Sequence, residues 1–295
     1  MIIGLVFAAL CAVATGTATI MQARAAGRAV ERSVGPLRSL LATLRQGWYI
    51  AGIGLDLVGF VASVVALHHL PLFVVQAVVS GSVGVTAGLA ALLGVRLGRT
   101  EVACLVVLGL GLIMLALSAA AEPPHALTGY RPWLLVAAVA PVGLLGLVGL
   151  RLPTRHGTGA AAAVLALAAG LGFTVVAVAS RTLVVPPHWW RLFVSPTVLA
   201  IVAAGGLGMA MFAFALQRGT ATTVAAISFA TETVLPAAIG LLVLGDSPRT
   251  GYAGVAAAGF VATVAAAIAL ARYADVTLPD RRTDQQRAQR PGPGA

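Results

Sequence analysis

The sequence carries very little charge for its length. Only 9% of its 295 residues are charged, against about 25% in a soluble domain. Hydrophobic residues make up 59% of the chain, and the mean hydropathy is +0.98. Several separate apolar runs exceed the roughly 20 residues that a helix needs to cross a bilayer. The chain therefore lacks the polar side chains that cover a water-facing surface, and the sequence predicts an all-α, polytopic bundle of transmembrane helices.

Lysine is absent from the chain. All 19 basic residues are arginine, and with nine acidic residues they give a formal charge of +10. Most of the arginines lie between apolar runs or in the C-terminal tail, where they fix the topology of membrane helices against anionic headgroups. We therefore attribute the basic balance to topology and expect no nucleic-acid binding.

Cysteine is also scarce. Cys11 and Cys104 both fall inside apolar runs, so the sequence offers neither a disulfide framework nor the ligand spacing of a zinc site. The apolar runs likewise hold no His, Asp, Ser and Glu constellation with catalytic spacing. We expect no enzymatic activity, no cofactor and no bound metal.

The apolar runs predict nine spans, at 2–22, 48–67, 71–94, 102–121, 132–150, 159–180, 195–216, 221–244 and 252–272. They form two repeats, at 1–122 and 132–272, followed by a polar tail at 275–295 that we expect to be disordered. Segment 30–46 has leucines at helical spacing with arginines between them, which is typical of an interfacial helix. A tenth, degenerate span in this segment stays open and would move the N-terminus to the other side.

The distribution of arginine predicts the orientation. With the N-terminus outside, 15 of the 19 arginines fall on the inner side and four on the outer side, namely Arg131, Arg181, Arg191 and Arg249. The positive-inside rule favours this arrangement. We therefore expect a plasma-membrane protein with its N-terminus outside and its C-terminus in the cytoplasm. The side chain of Arg181, at the end of the sixth span, is expected to extend to the membrane interface.

Two stretches of the chain are alike, at 66–118 and 215–268. Each begins with Ala-Leu and a short polar link, continues through a long span, and passes a loop containing Arg-Thr before a glycine-rich span. The offset between the copies is 149 residues at the first alanine and 150 at the loop arginine. With the predicted topology the two copies enter the membrane in opposite directions. Inverted repeats of this kind are the architecture of many secondary transporters.

This pattern resembles the drug/metabolite transporter superfamily, and its EamA-like members in particular. The residues that carry the likeness are Ala215-Leu216, Pro236 and Gly245-Asp246, whereas Gly94-Val95 replaces the Gly-acidic pair in the first copy. Members of the family usually have ten helices in two halves of five, and this chain is predicted to have one fewer in its first half. That shorter form is similar to the NIPA-like branch, which is associated with magnesium transport. The resemblance implies a multi-pass transporter.

Two carboxylates, Asp56 and Glu232, are predicted to lie deep in the membrane. At ~1.5 Å per residue they stand about 12 and 16 Å from the starts of their spans, near the middle of a hydrocarbon core about 30 Å thick. A charge at that depth costs roughly 2.5–3.5 kcal/mol on insertion scales and is usually functional. We expect one or both to bind a proton or a cation. The alternative is a permanently protonated carboxyl group that packs against a neighbouring helix.

Glu232 is the preferred candidate because Pro236 follows it by about one helical turn. Proline removes a backbone donor, so it frees a carbonyl near Glu232 and is predicted to kink the helix. Thr231 and Thr233 flank the carboxylate, while Gln76 and Ser80 share one face of the third span. We assign these four polar residues to the same substrate or ion site. The competing interpretation is that the hydroxyl groups hold transmembrane helices together.

The leading functional hypothesis is a transporter that moves a small metabolite or drug-like solute by alternating access, with proton coupling left open. A magnesium or other cation transporter is the alternative within transport, and a non-transporting accessory subunit is the alternative outside it. The expected partners are the substrate and the lipid bilayer, and a homodimer is also left open. A polar cavity at mid-membrane, lined by both carboxylates, is what transport needs and a scaffold does not.

Reporter fusions test the predicted topology. Reporters fused at Arg38 and at Arg287 should both read as cytoplasmic, and one fused at His188 should read as external, because the arginine bias places the first two positions inside. Paired alkaline phosphatase and fluorescent-protein fusions report the two sides. If the reporters at Arg38 and His188 share a side, the number of spans is wrong.

Overall fold

The computed structural model describes residues 2–32, 47–92, 98–120, 127, 129–152, 160–184, 188–219 and 221–276. In these ranges every regular element is helical, and nine helical segments are long and apolar enough to cross a membrane. The predicted all-α transmembrane bundle is confirmed. Most of the predicted interfacial helix at 30–46 and of the predicted tail at 275–295 lies outside the described residues.

Eleven helices make up the nine spans. The first half holds α1 (Ile2–Arg32), α2 (Gly47–Leu67), α3 (Leu72–Ser80), α4 (Ser82–Leu92) and α5 (Arg99–Ser118). The second half holds α6 (Arg131–Ala137), α7 (Val139–Arg151), α8 (Ala160–Thr182), α9 (Pro196–Leu216), α10 (Ala221–Ile239) and α11 (Ala253–Val276). A 3-10 helix, Trp189–Val194, leads into α9, and a π-helical turn, Gly240–Leu244, follows α10. The pairs α3/α4 and α6/α7 each form one span.

Local sequence accounts for the interruptions in these spans. α3 and α4 meet at Gly81, a residue with poor helix propensity. α6 and α7 meet at Ala138, three residues before Pro141, whose missing N–H removes one helical hydrogen bond. The π-helical turn ends at Gly245, which has φ 75° in the left-handed region that favours glycine.

The outward faces of the helices carry large apolar side chains. Exposed examples from five different spans are Leu57, Leu110, Leu147, Val202 and Val261. A continuous apolar exterior of this kind is unsuited to water, and hydrocarbon is its natural solvent. The chain is a multi-pass membrane protein.

Helices α3 and α8 form the centre of the bundle. The first six residues of α3, Leu72–Ala77, are all buried, and α8 is buried along most of its length. α8 packs on α7, α9 and α10, whereas α3 packs on α1, α10 and α11. Alanine and glycine dominate the sequence of α8, so neighbouring helices can approach it closely.

Glycines mark equivalent close contacts in the two halves. A Cβ atom on Gly59 of α2 would stand 2.7 Å from Thr15 Oγ1 of α1. One on Gly208 of α9 would stand 3.2 Å from the Ala169 carbonyl oxygen of α8. Gly59 and Gly208 are 149 residues apart, which is the offset of the repeat at its first alanine. In each half a glycine therefore lets the first helix of a pair approach the second closely.

The repeated segments pack on each other in opposite directions. Leu72, at the start of α3, lies against Asp246, which follows the π-helical turn after α10. Ser80, at the end of α3, lies against Thr233 in the middle of α10. Because the contact moves backwards along α10 as the chain advances along α3, the two helices are antiparallel. This is the packing that an inverted repeat requires.

The crossing of α5 and α11 depends on the absence of a side chain at Gly111. A Cβ atom there would overlap Thr263 Oγ1 and stand 2.9 Å from the Gly259 carbonyl oxygen. We expect Gly111→Ala to push the helices apart and to lower the free energy of unfolding by about 1–3 kcal/mol, seen as a lower melting temperature in detergent. Gly109→Ala is the matched control, since nothing lies within 4 Å of a Cβ atom at that position. Equal melting temperatures for the two variants would contradict this packing.

Candidate functional site

A partly open cavity, lined mainly by apolar side chains, lies between α2, α3, α8 and α10. Its volume is about 150 Å³, which is room for about five waters at ~30 Å³ each or for a small organic molecule. Its polar lining residues are Ser63, Gln76, Ser180 and Glu232. Its apolar lining residues are Phe60, Leu67, Val75, Val79, Phe173, Val176 and Ala177. Two of the predicted site residues, Gln76 and Glu232, therefore border one shared space.

Glu232 occupies a half-buried position on α10. Pro236 lies four residues later, so its missing N–H cannot donate to the Glu232 carbonyl. The helix nevertheless continues through Pro236, and the change of hydrogen bonding comes at Gly240, where the π-helical turn begins. The helix kink expected at Pro236 therefore stays a prediction.

The buried hydroxyl group of Ser180 indicates that the cavity holds a polar occupant. Its side chain is 1% exposed, and its Oγ atom has no hydrogen-bond partner among the described residues. Leaving a buried polar group without a partner costs about 1–3 kcal/mol. Because Ser180 lines the cavity, a water or a bound solute there can supply the missing hydrogen bond.

Ser80, Thr231 and Thr233 make contacts between helices. Ser80 Oγ and Thr233 Oγ1 are 2.6 Å apart, and their hydrogen bond joins α3 to α10. Thr231 Oγ1 donates to the Ile227 carbonyl at 2.8 Å, and the same side chain lies against Gly170 of α8. These are the contacts expected of hydroxyl groups that hold transmembrane helices together.

Asp56 is absent from the residues that line the cavity. It is half-buried on α2, one helical turn before Phe60, and α2 packs along α1. Asp56, Phe60 and Ser63 follow one face of α2 at helical spacing. The cavity is therefore lined by one of the two predicted carboxylates, and the other lies further along the same helix face.

Arg181 is placed quite differently from its prediction. We expected the side chain to extend to the membrane interface, but it is completely buried. Its Nη2 atom donates to Asp246 Oδ1 at 2.9 Å, and both side chains are fully buried. The prediction was wrong because the bundle itself supplies acceptors at this depth, so the guanidinium group does not need the interface.

The ion pair also satisfies the ends of two helices. Arg181 Nη1 donates to the carbonyl of Leu67, the last residue of α2. The N–H of Leu72, the first residue of α3, donates to Asp246 Oδ2 at 2.6 Å. A cation at a helix C-terminus and an anion at a helix N-terminus each complement the partial charge of that end. These four residues, Leu67, Leu72, Arg181 and Asp246, are called the ion-pair cluster below.

Further contacts fix the surroundings of the ion-pair cluster. His68 Nε2 donates to the Leu183 carbonyl at 2.7 Å, which ties the turn between α2 and α3 to the end of α8. The Asp246 N–H donates to the Gly240 carbonyl at 2.9 Å across the π-helical turn. A Cβ atom on Gly240 would stand 2.8 Å from Asp246 Oδ2, so the carboxylate reaches Leu72 only because residue 240 is glycine.

The sequence carries a signal for this pair. The predicted outer segments hold only two carboxylates, Glu122 and Asp246, against four arginines. Arg181 and Asp246 both stand at the outer ends of predicted spans, so they lie at a similar depth. An unusual acid and a base at the same depth indicate an ion pair.

No protein-family model, curated protein or solved structure matches the chain. The site is therefore interpreted from its own chemistry. Among the residues that the structure describes, no three His, Cys, Asp or Glu side chains come close enough together to hold a metal ion.

The hydrogen bond between Ser80 and Thr233 predicts the effect of Thr233→Val. This substitution keeps the shape of the side chain and leaves Ser80 buried without its partner. We expect stability to fall by about 0.6–1.7 kcal/mol, the range for hydrogen bonds between membrane helices, seen as a lower melting temperature. Thr19→Val is the control, because the Thr19 hydroxyl donates to the Thr15 carbonyl of its own helix. An equal loss in both variants would mean that the α3–α10 hydrogen bond contributes nothing.

Proposed function

We propose that this chain is a plasma-membrane transporter that moves a small, positively charged solute through the cavity by alternating access. Glu232 is the residue that binds the transported charge. The observation that carries the proposal is an ionisable carboxylate in the middle of a membrane span that borders an internal cavity. Such a group is costly at mid-membrane, and ionisable residues facing a cavity there mark pathways for ions and substrates.

The chemistry of the cavity supports a cationic solute. Glu232 is the one charged side chain among the described residues that line it, so an anion would meet a carboxylate and no basic partner. Phe60 and Phe173 also line the cavity, and the faces of aromatic rings attract cations. Gln76 and Ser180 add hydrogen-bonding groups that can orient an amine. A proton on Glu232 and an organic cation beside it are then competing occupants.

The position of the cavity supports transport rather than a scaffold role. α2 and α3 come from the first half of the chain, and α8 and α10 come from the second. Secondary transporters with inverted repeats bind their substrates near the midplane, between the halves. The residue pattern that resembles the drug/metabolite transporters agrees with this arrangement. An accessory subunit would need neither the carboxylate nor the unpaired hydroxyl of Ser180 at such a place.

A magnesium transporter is the second candidate. Mg²⁺ prefers octahedral coordination by oxygen and gives up its waters reluctantly. The cavity offers one carboxylate, one carboxamide and two hydroxyl groups, so it suits a hydrated ion better than a fully coordinated one. The two phenyl rings favour an organic cation over this alternative.

Glu232→Gln tests the role of the carboxylate. A cation binds to the ionised form of Glu232, so the affinity of the wild-type protein should fall as the pH is lowered. The glutamine keeps size and hydrogen bonding but cannot ionise, so the variant should fold, bind a small amine at least tenfold more weakly, and show no pH dependence. The measurement is the thermal stabilisation of purified protein by small primary and quaternary amines, neutral sugars and Mg²⁺ over a pH series. Uptake of the stabilising compound into proteoliposomes follows.

Glu101→Gln is the matched control for this experiment. Glu101 is also a buried carboxylate, but its Oε2 atom accepts a hydrogen bond from the Gly98 N–H at 2.6 Å at the start of α5. Its replacement should leave ligand binding and its pH dependence unchanged. A wild-type pH profile in Glu232→Gln would end the proposal. Stabilisation by Mg²⁺ and by no amine would favour the second candidate.

A further inference from the structure

The ion-pair cluster stands at one end of the cavity. Along α2 the lining residues run from Phe60 to Leu67, which is about 10 Å at ~1.5 Å per residue. The carbonyl of Leu67, the last of them, accepts the hydrogen bond from Arg181. On α8 the last lining residue is Ser180, directly before Arg181. The cluster therefore lies immediately beyond the end of the cavity at which α2 and α8 end.

The cluster joins the two halves of the chain. Arg181 and Asp246 belong to the second half of the chain. Arg181 donates to the Leu67 carbonyl before the turn between α2 and α3, and Asp246 accepts from the Leu72 N–H after it, both in the first half. The hydrogen bond from His68 to the Leu183 carbonyl makes a third link of the same kind. Entry to the cavity from this end requires the α2–α3 turn to move away from α8 and from the segment after α10, which breaks all three links.

The links are suited to reversible opening. Each one ends on a backbone group at a helix end or in a turn, where water can replace the lost partner once the turn has moved outward. Asp246 follows the π-helical turn Gly240–Leu244 and the left-handed Gly245. π-helical turns occur frequently at functional sites, and a positive-φ glycine can change conformation without the steric cost that other residues meet.

We propose that the ion-pair cluster is the gate that closes the cavity at this end. In the closed state described here, Arg181 and Asp246 hold the α2–α3 turn over the cavity. In the open state the turn is released, and the cavity communicates with the aqueous phase on that side. The inference rests on the proposed function, because a gate is useful only to a cavity that a solute enters. The test of the gate needs no solute, so the gate and the proposed transport function can be disproved separately.

The test is the accessibility of the cavity to a thiol reagent. Ser63, which lines the cavity, is replaced by cysteine in a chain carrying Cys11→Ala and Cys104→Ala. A membrane-impermeant, positively charged methanethiosulfonate is added to one side of proteoliposomes at a time. The exposed residue His188, substituted by cysteine in a separate chain, identifies the side on which the loop after α8 lies.

Asp246→Asn is expected to raise the labelling rate at least tenfold from the His188 side and to leave the rate from the other side unchanged. Asparagine retains an acceptor for the Leu72 N–H but no longer pairs with the guanidinium charge. Arg181→Lys, which keeps the charge but cannot contact Asp246 and Leu67 together as a planar fork does, should raise the rate from the same side by a smaller factor. It also serves as the second variant if Asp246→Asn does not fold. Arg249→Gln changes an exposed arginine in the loop that also holds Asp246. This control should leave the labelling rate unchanged from both sides.

Unchanged labelling in the folded variants would overturn the gate and leave the cluster as a permanent structural link. Equal increases from both sides would overturn it as well, because they would indicate general loosening of the bundle. Neither result bears on Glu232, whose role is tested by the pH dependence of binding.

Discussion

A charge can be buried in this bundle only where another charge or the backbone replaces water, and Arg181 and Asp246 supply that replacement for each other. The guanidinium group faces a carboxylate and the carbonyl at the end of α2, and the carboxylate faces the N–H at the start of α3. Removing one partner of a buried ion pair costs about 3–5 kcal/mol. The glycine at position 240 is part of this arrangement, because a Cβ atom there would stand 2.8 Å from Asp246 Oδ2.

Glu232 shows a different way of placing a carboxyl group in a membrane. Its side chain borders a cavity beside the unpaired hydroxyl of Ser180, whereas Asp246 is enclosed by donors. Both oxygens of Asp246 already accept hydrogen bonds from the protein. Glu232, in contrast, borders a cavity that a ligand can fill. Depth in the membrane is therefore a poor guide to the role of an ionisable residue, and the groups around the carboxylate decide it.

Features carried by local sequence could be predicted, and features that join distant residues could not. Hydropathy located the nine spans because each span is a property of one continuous stretch, and the 149-residue offset is the basis on which inverted repeats are expected. Arg181 and Asp246 are 65 residues apart, and Ser80 and Thr233 are 153 apart. No periodicity connects such partners, so sequence analysis missed the ion pair and the hydrogen bond between Ser80 and Thr233. The kink expected at Pro236 stays a prediction, because the α-helix continues through that residue and changes to a π-helical turn only at Gly240.

The two halves share their packing but differ in their charges. Gly59 and Gly208 occupy equivalent places, whereas Gly94-Val95 stands where the second half has Gly245-Asp246. In an inverted repeat, exchanging the conformations of the halves exchanges the open and the closed side. If the two halves made identical interactions, the state open to one side and the state open to the other would have equal free energies. On the proposed mechanism a cluster built on Asp246 stabilises closure at one end, and the sequence of the first copy has no Gly-acidic pair at the corresponding place. On the proposed mechanism the resting equilibrium therefore favours closure at the ion-pair end, and a solute must shift it by binding the other state more tightly.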